Sequence, residues 1–139
     1  MKGLPNLIRL HRWRLDEKRK NLGGLERLAA DLREQGHRIE NELKGEQMAA
    51  GASREAGYAY GAYAKTVIAR RARLAASLAE AKAKIAQAAD EVTESFQELK
   101  RLEIAQGNRE RAARDKAAKS ERLILDELGL NAHRRGGRS

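Results

Sequence analysis

The stretch GASREAGYAYGAYAK, Gly51–Lys65, holds all three tyrosines of the chain and three of its twelve glycines, Gly51, Gly57 and Gly61. The flanking sequence is written mainly in Leu, Ala, Arg, Lys and Glu, residues that lose little freedom in a helix. The stretch therefore reads as a corner between two helices. Gly51 suits the left-handed conformation that ends many helices, Ser53 can accept a hydrogen bond from a backbone N–H at the start of the next, and Glu55 suits its positive end. A corner at about 50–53 turns the chain into an antiparallel helical hairpin.

Composition agrees with long helices. Of 139 residues 35% are charged, 4% are aromatic and one is proline. That is too little apolar volume for a rounded core and almost nothing that forbids helix. Burial has to come from a seam between helices. Cysteine is absent, which excludes disulfides and thiolate metal sites. The N-terminal charges Lys2, Arg9, Arg12, Arg14, Lys18, Arg19 and Lys20 interrupt any apolar run that could serve as a signal peptide or span. A bacterial-type cytoplasmic protein is expected. The net charge of +9 suits nucleic acid, an anionic membrane or an acidic protein surface, without choosing among them.

Alternating steps of three and four residues mark two seams. The first is Ile8, His11, Leu15, Lys18, Leu22, Leu25, Ala29, Leu32, Gly36, Ile39, Leu43, Glu46 and Ala50. The second is Ala64, Val67, Arg71, Leu74, Leu78, Ala81, Ile85, Ala88, Val92, Ser95, Leu99 and Leu102, with Phe96 beside it. This spacing is that of a coiled coil. Folding about the corner predicts the layers Leu43–Tyr60, Ile39–Ala64, Gly36–Val67, Ala29–Leu74, Leu22–Ala81 and Leu15–Ala88. Polar layers at Leu32–Arg71, Lys18–Ile85 and His11–Val92 are expected to set register rather than to form a site.

The fold class expected is thus all-α: a long two-helix antiparallel coiled-coil hairpin with an overhanging C-terminal helix. It forms a single coiled-coil domain over 1–139, with helix 1 at about 5–49, helix 2 at about 54–128 and a disordered basic tail over 131–139. The arms are unequal, about 45 residues against about 75, or roughly 68 Å against 110 Å. Past Leu102 the seam positions become polar or Ala, and Gly107 weakens the helix by about 1 kcal/mol relative to Ala. Leu123, Ile124, Leu125, Leu128 and Leu130 then form an isolated apolar cluster. It is either a contact surface, because a lone helix cannot bury it, or a segment that folds back on the N-terminal end or frays.

No catalytic, cofactor-binding or metal-binding residues are expected. His11, His37 and His133 share no ligand spacing, GASREAG lacks the Lys-Ser/Thr of a phosphate loop, and the acidic residues alternate with basic ones along helix faces. The Gly57–Gly61 spacing lacks the apolar span that a membrane helix dimer needs. The basic segment RLHRWRLDEKRK, Arg9–Lys20, reads as a docking end. Trp13 is an aromatic anchor, and the arginines can clamp carboxylates. Its alternative is a solvated face with Trp13 covering the neighbouring helix.

Four blocks resemble, in order, those of the flagellar export protein FliJ family, closest to its alphaproteobacterial type. They are LIRLHRWRLDEKRKNLGGLE (Leu7–Glu26), YAYGAYAK with RRARLAAS (Tyr58–Lys65, Arg70–Ser77), SFQELKRLE (Ser95–Glu103) and ERLILDELGL (Glu121–Leu130). Two positions depart from the family pattern: Arg122 follows Glu121 where Gln is common, and Gly61 stands where Pro is common. The resemblance implies a non-enzymatic component of the flagellar type III export apparatus, similar in form to the stalk subunit of rotary ATPases. It implies binding to the export ATPase ring, to the cytoplasmic domain of the export gate and to export chaperones, and a cytoplasmic location bound peripherally to the membrane apparatus at the flagellar base. No small-molecule substrate is implied. Transferred onto this chain, partner binding falls to Leu7, Arg9, Arg12, Trp13, Leu125, Asp126, Glu127 and Leu128. Tyr58 and Tyr63 form a second partner face. The alternatives are the equivalent stalk of a virulence type III secretion system and, from another class, a basic coiled coil that binds nucleic acid. The acidic residues along the hairpin oppose the latter. A membrane-surface helix lacks the required bulky apolar face.

Overall fold

The computed structural model describes residues 3–136. It contains two helices, α1 (Leu4–Ala50) and α2 (Arg54–Gly136), and no strand among the described residues: an all-α helical hairpin. The start of α1 follows from Pro5. In the first turn its missing N–H costs nothing, and the Gly3 carbonyl accepts the Leu7 N–H at 2.9 Å.

The corner is closed by small groups. Ala52 N–H donates to the Ala49 carbonyl at 3.1 Å, and the Ser53 hydroxyl accepts the Ala56 N–H at 3.0 Å, capping α2 as expected. Glu55 lies in the first turn of α2. Gly51 does not take the left-handed conformation expected of it: no glycine among the described residues has positive φ. A tightened last turn satisfies the end of α1 instead. The helix at the other end also runs further than expected. It was to stop near 128, with a loose tail from 131; α2 continues to Gly136, where His133, Arg134 and Arg135 in its last turn complement the negative helix end. Residues 137–139 lie outside the described residues.

The chain divides into two compact units, Trp13–Ser95 and Met1–Arg12 with Phe96–Ser139. In the first, the hairpin unit, Leu15, Ala29, Ile39, Val67, Ala81, Ala88 and Ser95 are buried. All stand on the two seams, and the seam positions between them are buried or half-buried except Glu46, which is exposed. In the second, the terminal unit, Leu4, Ile8 and Leu99 are buried. Leu4 extends the first seam by one step beyond the expected start.

The register differs from the expected one by a heptad. Gly36 stands beside Leu74, so that a Cβ at Gly36 would lie 3.5 Å from Leu74 Cδ2; it does not face Val67. The reason is physical: a seam of 3.5-residue period is unchanged by a seven-residue slip, so apolar spacing cannot select between the two registers. Polar groups select. In the observed register Arg71, expected opposite Leu32, donates from its guanidinium to the Glu40 carboxylate, and Arg70 Nη1 lies 3.9 Å from Glu42 Oε2. The Tyr63 hydroxyl donates to Glu42 Oε2 at 3.5 Å.

Candidate docking surfaces

In the terminal unit the first sequence block is held on α2 by charged contacts around the buried Ile8 and Leu99. Arg12 Nη2 lies 3.6 Å from Glu103 Oε1, while Lys100 Nζ lies 3.2 Å from Glu103 Oε2, so one carboxylate bridges two cations. The Lys100 ammonium also sits 5.4 Å from the centre of the Phe96 ring. His11 Nδ1 is buried 3.6 Å from Glu98 Oε2, too long for a hydrogen bond, and has no hydrogen-bond partner among the described residues. These contacts leave Leu7, Arg9 and Leu10 exposed on the outer face of α1. Leu10 was not singled out from the sequence, although it stands one helical step from Leu7. Leu7 is 38% exposed and Leu10 42%.

Beyond Gly107 every described residue of α2 is exposed. Leu125 and Leu128, with Leu123, Ile124 and Leu130, each expose 58–61% of their surface, and Asp126 and Glu127 are exposed between them. The helix neither folds back nor ends here, which removes that reading of the apolar cluster. Leu125 lies roughly 27 Å further along α2 than Gly107 at 1.5 Å per residue. The first and last blocks thus share a unit but are not brought together.

In the hairpin unit Trp13 is 61% exposed, open to a partner rather than folded over the neighbouring helix. Tyr58 is 78% exposed, and Met48, near the other side of the corner, is 84% exposed. Tyr63 behaves differently. It is half-buried and turned to α1, where partial loss of water and then the Glu42 and Glu46 carboxylates hold its phenol above the ordinary range. The expected exposed face of Tyr58 and Tyr63 therefore reduces to Tyr58; Tyr63 braces the corner.

No helix among the described residues is long and apolar enough to cross a membrane, and no cluster of three or more metal-ligating side chains is found among them. Extended grooves flank the Gly36–Leu74 layer, one lined by Arg38, Arg70 and Arg73, the other by Arg33, Gly36 and His37. What the surface offers is exposed apolar side chains among cations on helix faces. No curated protein and no solved structure matches the chain. A family model described as flagellar FliJ protein matches residues 1–138. With two helices packed as a coiled coil and the match running through almost the whole of the sequence, the chain belongs to the flagellar FliJ protein family.

Proposed function

We propose that this chain is a non-enzymatic stalk of the flagellar type III export apparatus that binds the export ATPase ring through its terminal unit. Family membership supports the export role. The observation that carries the docking assignment is the bare segment of α2 after Gly107. It is helical, exposed on every side and studded with large apolar residues that a solitary helix gains nothing by presenting. Within the terminal unit Leu125, Asp126, Glu127 and Leu128 supply an apolar and acidic contact, and Leu7, Arg9 and Arg12 a basic one; Trp13, in the hairpin unit, is an exposed aromatic anchor of its own.

Two contacts of opposite charge on exposed helix faces allow engagement of a charged partner surface without a deep pocket. Other faces meet the cytoplasmic domain of the export gate and export chaperones, with Tyr58 as an exposed aromatic anchor near the corner. The protein acts in the cytoplasm, peripherally attached to the membrane apparatus at the flagellar base. Co-purification tests the assignment: the full chain retains its cognate export ATPase, and a chain carrying Leu125→Asp and Leu128→Asp loses it. Undiminished retention by that variant removes the last block from the interface.

A further inference from the structure

The segment of α2 from Gly107 to Leu128 carries a pattern that is complementary to itself. Every seventh residue is Gly107, Arg114, Glu121 and Leu128, forming one line along the helix, with Glu110, Ala117 and Ile124 on the line beside it. All of Arg114, Ala117, Glu121, Ile124 and Leu128 are exposed, and neither Arg114 nor Glu121 has a partner among the described residues. If a second helix of the same sequence runs antiparallel about a two-fold axis between Ala117 and Ala118, the order along that line reverses. Leu128 of each copy then comes level with Gly107 of the other, Arg114 level with Glu121, and alanine meets alanine at the axis. Large faces small at both ends, opposite charges meet twice, and small residues at the centre let the helices approach.

We infer that the free protein forms a dimer in which residues 107–128 of two copies pair as an antiparallel coiled coil. A two-fold contact uses one patch on both subunits, and the line Gly107, Arg114, Glu121 and Leu128 is its own complement in size and charge, with Glu110 and Arg111 level with Leu125 and Ile124 at its edges. The paired length is roughly 32 Å, about three heptads. With one large apolar residue at each end the affinity is modest, so the dimer forms at micromolar concentrations or above and dissociates on dilution. The pairing stands on the charge and size order of this segment and does not depend on the docking assignment.

Sedimentation equilibrium of the full chain tests it, from about 1 µM to about 300 µM, the span over which a micromolar dissociation constant shows itself. The average mass is expected to rise from that of one chain, 15.5 kDa, toward twice that value. Glu121→Arg sets arginine against arginine in both symmetric pairs and is expected to weaken dimerisation at least tenfold. Adding Arg114→Glu to it restores opposite charges and is expected to restore the dimer. Circular dichroism of each variant reports whether the helix is retained. A wild-type mass that stays at one chain throughout overturns the inference. So does Glu121→Arg with full helicity and unchanged association, or a double variant that fails to regain it.

Discussion

Gly36 and Leu74 meet across the hairpin unit, the glycine leaving the space into which the Leu74 Cδ2 methyl turns. The contact fixes which turn of α1 lies beside which turn of α2. A Cβ on Gly36 would reach Cδ2 at 3.5 Å, ordinary van der Waals distance, and the backbone there is helical with negative φ.

Gly36→Ala is therefore expected to stabilise the hairpin by about 1 kcal/mol, the helix-propensity gain of alanine over glycine. Thermal or urea unfolding reads this out. A loss of stability would mean the helices at this layer are closer than described.

The register itself is open to a direct check, because the chain has no cysteine of its own. Gly36→Cys with Leu74→Cys is expected to form an intramolecular disulfide on mild oxidation, whereas Gly36→Cys with Val67→Cys is not. Mobility on a non-reducing gel distinguishes the two. Efficient closure of the second pair alone would reinstate the register one heptad away.

Ser53 caps α2 through the Ala56 N–H. Ser53→Ala is expected to cost about 1 kcal/mol, and Ser53→Asp to cost much less, because a carboxylate accepts the same hydrogen bond and complements the helix end. Unfolding curves of the two variants provide the comparison.

Tyr63 binds its proton more tightly in the hairpin than in the unfolded chain, so its contribution to stability is intact below the ordinary phenol pKa of 10.0 and is lost as pH rises through the raised value. Spectrophotometric titration of tyrosinate checks this. Glu42→Gln, which removes a nearby negative charge and a hydrogen-bond acceptor, is expected to shift the titration to lower pH. An unmoved titration would separate Tyr63 from Glu42.

Much of this architecture is legible in the residues, for reasons that also explain what is not. The seam positions follow from the three-and-four spacing, and even Leu4 was within reach, one step before Ile8. The register was not, since sliding Gly36 from Val67 to Leu74 keeps every seam residue on the seam; only charged partners such as Glu40 for Arg71 decide it. The end of α2 was obscured by Gly129 and the run HRRGG, which read as breakers, while the helix tolerates Gly129 and places its cations where the dipole favours them. Of the candidate surface, the exposure of Leu125 and Leu128 was one of two outcomes the sequence left open, and the uninterrupted α2 decides between them. Tyr63 is half-buried rather than fully exposed because its hydroxyl reaches Glu42 on the other helix, a contact the apolar spacing does not announce.

The central claim, a stalk that engages the export ATPase through the terminal unit, is tested most directly by titrating the purified chain into its cognate export ATPase and following ATP hydrolysis. The full chain is expected to raise oligomeric ATPase activity, and a chain truncated after Leu102, lacking the bare part of α2, is expected not to. No rise with the full chain, or an equal rise with the truncated one, would contradict the account.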